Sequence, residues 1–256
     1  ATYSIVASFI SRVASKNSCL WGHADYYTLF GNDKVKMKKF FKKINYHKFK
    51  HVIFVSKEGK SSFLNIFPEM KEKTLVCNNL IDSKKIKKLA EEKVNEKKDE
   101  GITTFINVGR HDEKQKKLTR IIEVAKRLKM NGYRFKMLWI GDGPDSNFYK
   151  EEIRKNKLQE NIELLGRKQN PYPYFKISDC VILTSDYEGY PVVFLESFIL
   201  NKPIITTKVS DYEQVEGKYG YVTDKSIEDI YEKMKLFIEK GFDIKQEFDA
   251  NQYNSE

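Results

Sequence analysis

Leu183 to Ser197 reads LTSDYEGYPVVFLES. The apolar run Cys180–Leu183 ends in the small polar pair Thr184 and Ser185. An acidic turn, Gly189 and Pro191 follow, and then an apolar stretch that carries Glu196. Pro191 suits the first turn of a helix, because its fixed φ fits and its missing N–H would have no partner there. Strand, turn and helix are therefore read in succession. Glu188 and Gly189 fall on the turn, where free backbone N–H groups and the helix dipole favour an anion. Glu196 lies about one and a half turns on, roughly 7.5 Å along the axis at 1.5 Å per residue. The two carboxylates would flank one site. Spacing alone would leave Glu196 a solvated helix position, since two glutamates eight apart are common in a charged chain.

Outward from this stretch, strand-like apolar runs recur at 103–108, 135–140, 162–165, 180–183, 203–206 and 219–222. Helical patterns alternate with them. The clearest is 118–130, where Leu118, Ile121, Ile122, Ala125 and Leu128 recur at helical spacing; others are 149–157, 192–200 and 227–238. Such alternation predicts an α/β fold with a doubly wound parallel sheet and ligands at the carboxyl ends of its strands. Upstream, 18–21, 52–55 and 73–77 read as strands of another α/β unit, too short for a complete doubly wound domain. NEKKDEG, Asn95 to Gly101, is charged, has no apolar residue and ends in glycine, so the linker is placed there. Two domains are expected, 1–94 and 102–256.

The 256 residues include 40% hydrophobic and 13% aromatic side chains, enough for a sizeable globular core, and no stretch approaches a spanning helix of about 20 apolar residues. ATYSIVASFI at the amino terminus has no basic region and does not read as a secretory leader. Cys19, Cys77 and Cys180 are odd in number and lack metal-like spacing, which fits reduced thiols in a cytoplasmic protein. The 46 basic against 36 acidic residues give a net +10, much of it in lysine runs. Such runs are usually solvated helix faces, although a basic face can also meet anionic lipid or a diphosphate. No nucleic-acid motif and no strict GxGxxG occur.

After the 103–108 run comes GRHDEKQKKL. Gly109 permits a tight exit, Arg110 stands at the carboxyl end of the strand, and Lys116 and Lys117 lie near the start of the next helix. Arginine can fork to phosphate oxygens, and lysine adds a mobile point charge. The next strand ends in IGDGP, 140–144, where Gly141 and Gly143 flank an aspartate; turn chemistry alone accounts for this pattern. The third ends in LGR with Arg167, followed by Lys168. In the first unit, WGHADYY places His23 and Asp25 after a strand.

Taken together, these strings resemble the retaining glycosyltransferases of family four, which have the two-domain GT-B fold. The stretch around Glu188 and Glu196 resembles their E-x7-E motif, and GR…KK resembles their G-R…K-G signature, with Lys117 where glycine is usual. GDG, W-x-H-x-D, HVIFVSK (51–57) and CNNLID (77–82) match further elements. The resemblance runs from about residue 18 to 239. It implies a nucleotide-diphosphate sugar as donor substrate, UDP in preference to GDP, with no cofactor and no metal. It implies His23 and Glu188 as catalytic residues near the transferred sugar. Gly109, Arg110, Lys116, Gly141, Arg167, Gly189, Tyr190 and Glu196 are implied to bind the donor, with Glu196 on the ribose. A glycan or lipid-linked acceptor and peripheral contact with an anionic inner membrane face are the expected partners, and nucleic acid is not. The glycine-rich loop with which members begin is absent, so an amino-terminally truncated first domain is expected, and independent catalysis by this chain is in question. A nucleotide-sugar epimerase or a non-catalytic nucleotide-sugar-binding remnant are the alternatives.

Overall fold

A computed structural model describes residues 17–255 and divides into two compact units. The amino-terminal stretch read for a leader lies outside the described residues. Among the described residues, the chain up to Leu80, with Tyr187–Pro191 and the stretch from Tyr253, forms the first unit; Ile81–Asp186 with Val192–Gln252 forms the second.

The first unit contains β1 (Cys19–Gly22), α1 (Tyr26–Leu29), α2 (Lys34–Lys43), β2 (His51–Phe54), α3 (Lys57–Leu64) and β3 (Thr74–Val76). Its three strands are parallel in the order β1-β2-β3. Asp33 starts α2 by accepting from Val35 N–H at 2.9 Å and Lys36 N–H at 3.0 Å, which satisfies two of the otherwise orphaned first-turn donors. Met37, Phe41 and Ile44 then point one stripe of helix into a core with Phe54, Phe63 and Phe67. The Phe41 and Phe63 rings meet edge to face at 4.8 Å, the arrangement their quadrupoles favour.

The second unit comprises α4 (Ser83–Leu89), β4 (Thr103–Val108), α5 (Glu113–Lys116), α6 (Thr119–Met130), β5 (Phe135–Ile140), α7 (Ser146–Lys155), β6 (Ile162–Gly166), α8 (Tyr172–Lys176), β7 (Cys180–Leu183), α9 (Val192–Ile199), β8 (Ile204–Thr207), β9 (Gly220–Thr223) and α10 (Ile227–Lys240); α11 (Ala250–Ser255) is counted with it up to Gln252 and with the first unit from Tyr253. All six strands are parallel, ordered β6-β5-β4-β7-β8-β9. This is the doubly wound order in which the chain leaves in opposite directions on either side of β4 and β7. Strands buried on both faces explain the continuous apolar runs. Ile121, Ile122, Ala125 and Leu128 of α6 and Ile230, Met234 and Phe237 of α10 pack with Phe105, Trp139 and Ile182 in one core.

Residues 95–101, read as a linker, are tied along the second unit. Glu96 meets Lys168 at 3.6 Å, Lys98 meets Asp179, and Asp99 meets Lys136, both at 2.5 Å. Just upstream, α4 buries Ile86 and packs on α8 and α9, so this helix of the expected first domain lies with the second unit.

Candidate functional site

The exits of β4, β5 and β6 are laced backbone to backbone. Gly109 N–H donates to Ile140 O at 2.9 Å, Gly141 N–H to Gly166 O at 3.0 Å, and His111 N–H to Asp142 O at 3.2 Å. The chains run so close that a Cβ on Gly141 would lie 1.8 Å from Gly109 O, and one on Gly143 2.2 Å from His111 O. Gly141 is also at φ +146°, which a side chain rarely adopts. The GDG pattern is thus required by packing as well as by its turn. Over this floor opens a cleft of about 400 Å³, lined among others by Gly109, Arg110, Gly141, Asp142, Arg167 and Lys168.

Arg110, Lys116 and Arg167 stand at this edge, with Lys168 beside them. The Arg110 guanidinium is largely exposed, 3.8 Å from the Asp112 carboxylate. Lys116 folds back over Gly109, its Nζ 3.6 Å from where a Gly109 side chain would begin. Arg167 lines the same cleft. Asp142 is held below the usual carboxylate range, chiefly by the Ser146 hydroxyl and the Gly143 N–H, with His111 and Arg167 adding to the effect. Ser146 Oγ in turn lies 2.9 Å from His111 Nδ1, and burial lowers the pKa of this histidine.

The cationic corner is fastened to the exit of β7. Thr184 Oγ1 donates to Lys116 O at 3.0 Å and also contacts Lys117 O at 3.2 Å. Arg120 donates to Thr184 O and pairs with Asp186, both at 2.8 Å, while Asp186 N–H donates to Gln115 O at 2.8 Å. Lys117, between α5 and α6, has φ +51° and ψ 44°. That left-handed corner is where the resembled signature carries glycine.

Glu196 sits on α9, and its Oε1 accepts from the Tyr172 hydroxyl at 3.1 Å. Burial raises the Glu196 carboxyl and the Tyr172 hydrogen bond opposes the rise; burial and this carboxylate push the Tyr172 phenol up to about 12. Tyr172 is itself placed by Asn170, whose Oδ1 accepts from Tyr172 N–H at 3.2 Å.

Four candidates belong to the first unit. His23 is exposed and stacks on Trp21 at 5.9 Å. Glu188 is buried, and its backbone O accepts from Asp25 N–H at 3.3 Å. A Cβ on Gly189 would come 2.0 Å from His23 O, and Tyr190 is buried with its ring 6.3 Å from that of Tyr253. Asp25 caps α1, accepting from Tyr27 N–H at 3.1 Å. So Gly109, Arg110, Lys116, Gly141 and Arg167 share the carboxyl edge of the second sheet, with Glu196 on a helix of the same unit. His23, Glu188, Gly189 and Tyr190 gather in the first unit.

Sequence reading passed over His111, Arg120, Tyr172 and Ser185. The buried Ser185 hydroxyl has no hydrogen-bond partner among the described residues. Only Arg120 had a signal, a polar residue in the first turn of an otherwise apolar-striped helix. Among the described residues, no group of three or more His, Cys, Asp or Glu could hold a metal ion, and no helix is long and apolar enough to cross a membrane. Cys19 and Cys77 are exposed and free; burial raises the thiol pKa of Cys180.

Residues 83–255 match the sequence family described as glycosyl transferases group 1. An uncharacterized glycosyltransferase of Methanocaldococcus jannaschii is 33% identical over 168 residues, covering 63% of this chain and 41% of the relative. The amylovoran biosynthesis glycosyltransferase AmsD of Erwinia amylovora is 30% identical over 125 residues, 48% of this chain and 33% of its own length. The chain therefore spans less than half of either relative. Anabaena HepE, solved in complex with UDP and glucose, superposes with a TM-score of 0.76 over 98% of this chain and 73% of its own, at 17% identity. That likeness is one of fold.

Proposed function

Because the chain belongs to the group 1 glycosyl transferases and has a GT-B fold, we propose that it serves a retaining glycosyltransferase. That enzyme moves a sugar from a nucleotide-diphosphate donor, UDP in preference to GDP, to a glycan or lipid-linked acceptor in polysaccharide synthesis. The observation that carries this reading is the convergence of Arg110, Lys116 and Arg167 on the carboxyl edge of the second sheet beside its switch point. Ligands of doubly wound sheets bind there, and fixed cations over a rigid floor stabilise a departing diphosphate without reorganising.

In this reading Arg110 and Lys116 hold the diphosphate, helped by the amino end of α9. Gly109 and Gly141 leave room for it, and Arg167 borders the nucleoside. Glu196 accepts from ribose hydroxyls, an arrangement that suits a carboxylate, and Tyr172 keeps its carboxylate in place. Glu188 contacts the donor sugar, with Gly189 and Tyr190 shaping its surroundings, and His23 assists at the transferred sugar. The positive potential comes from the protein, so the reaction is proposed to be metal-independent. The Erwinia relative's name, with its reference to amylovoran biosynthesis, and the Anabaena neighbour's bound UDP and glucose support the substrate class. No observation favours epimerisation.

Calorimetric titration with UDP- and GDP-sugars, with and without EDTA, tests this reading. Tighter binding of a UDP-sugar, unchanged by EDTA, is expected. Preference for GDP-sugars, or loss of binding with EDTA that magnesium restores, would overturn the corresponding part. Configuration at the transferred carbon, read by NMR on the product, is expected to match that of the donor.

A further inference from the structure

Arg120 lies in the first turn of α6, where the helix dipole favours an anion and opposes a cation. Lys114, Lys116 and Lys117 precede it closely in the chain. Its side chain is only 17% exposed, so it has also given up most of its hydration. Stability alone is a weak reason for such a placement, because a largely buried ion pair gains little over its desolvation. Fixed geometry is a better one. One arm of the planar guanidinium donates to Thr184 O and the other pairs with Asp186 Oδ1, each at 2.8 Å.

Both acceptors belong to the exit of β7, and that exit grips three successive carbonyls. Asp186 N–H donates to Gln115 O at 2.8 Å. Thr184 Oγ1 donates to Lys116 O at 3.0 Å and contacts Lys117 O at 3.2 Å. Arg120 N–H returns to Lys117 O at 3.0 Å, and Lys225 Nζ, from beyond β9, holds Asp186 O at 2.6 Å. The backbone of Lys116 is thus tied on either side, while its side chain lies back over Gly109. A lysine is a mobile point charge on a flexible stem. Anchoring its backbone confines the space that its ammonium can reach, and a charge already in place stabilises an anion without reorganising.

We propose that Arg120 is a positioning residue for Lys116, acting through Thr184 and Asp186 to hold its ammonium at the carboxyl edge of the sheet for the donor diphosphate. The inference rests on the assignment of Lys116 to that diphosphate. Arg120 acts at second hand, because both arms of its guanidinium are taken up by protein acceptors.

The test is a double-mutant cycle on the whole protein, read by calorimetry with UDP and UMP. Lys116→Met should weaken UDP binding and leave UMP little changed. Arg120→Gln should weaken UDP about tenfold, within the coupling expected of residues in one network, again with little effect on UMP. In the Lys116→Met background, Arg120→Gln should add nothing. Thr184→Val replaces only the hydroxyl that holds the Lys116 carbonyl, and should show the same dependence on Lys116. Arg127→Gln breaks the 2.8 Å pair with Glu228 farther along α6 and should leave UDP binding as it was. Equal losses from Arg120→Gln in both backgrounds would overturn the proposal. So would a lowered melting temperature with UDP affinity unchanged, or an equal loss from Arg127→Gln, either of which would reduce Arg120 to holding α6 together. Unchanged UDP binding in Lys116→Met would instead strike the diphosphate assignment itself, and the inference with it.

Discussion

Lys117 occupies the left-handed corner between α5 and α6, where a side chain raises the energy by roughly 1–2 kcal/mol. Glycine relieves that strain but has more unfolded-state entropy to lose. Lys117→Gly should therefore stabilise the protein by about 0.5–1 kcal/mol, seen as a raised thermal midpoint; a lowered one would show that the Lys117–Glu113 approach at 3.9 Å matters more. Glu196 makes the opposite kind of compromise. Burial raises its folded pKa above the unfolded value, so its stabilising effect is complete below the unfolded carboxylate range and is lost as pH rises through the folded value. Glu196→Gln keeps an acceptor for Tyr172 and has no charge to desolvate. It should melt above the parent at neutral pH, with the gap closing as pH falls into the carboxylate range, while UDP binding weakens. A gap that does not change with pH would contradict this origin.

At the scale of elements, the rigid floor depends on Gly141. A methyl group there meets Gly109 O at 1.8 Å and a backbone at φ +146°. Gly141→Ala should cost about 3 kcal/mol or more in chemical denaturation, and a loss under about 1 kcal/mol would mean that the β4 and β5 loops separate easily. The alternation of strands and helices was legible in sequence because fully buried parallel strands leave unbroken apolar runs and α6 leaves a clean stripe. Strand order was not legible, since nothing local in Phe105 and Cys180 announces that they pair. Helix ends were misjudged where caps are polar: α7 begins at Ser146, whose hydroxyl joins the Asp142 turn, while the apolar pattern starts only at Tyr149. The strap of residues 95–101 was illegible for a related reason. Its charges look solvated until distant partners such as Asp179 are brought to them.

Across the whole chain, the two units differ in the chemistry they present. The first has lysine alone as its strong cation from residue 17 to 80, with six of twelve on α2. The second sets Arg110, Lys116 and Arg167 around a cleft at one sheet edge. Of the cleft's lining, Gly109, Arg110 and Gly141 were readable because they follow the ends of β4 and β5 at once, and Lys116 because it fits the resembled signature. Tyr172 was not, because its partner Glu196 lies 24 residues away. The central claim is that this edge holds a nucleotide diphosphate, and Arg110→Ala tests it most directly, by calorimetry against UDP and UMP. A loss of about 1.5–3 kcal/mol for UDP, the scale of a hydrogen bond to a charged group, with UMP little affected, is the predicted result. Equal losses for the two nucleotides, or none for either, would contradict it.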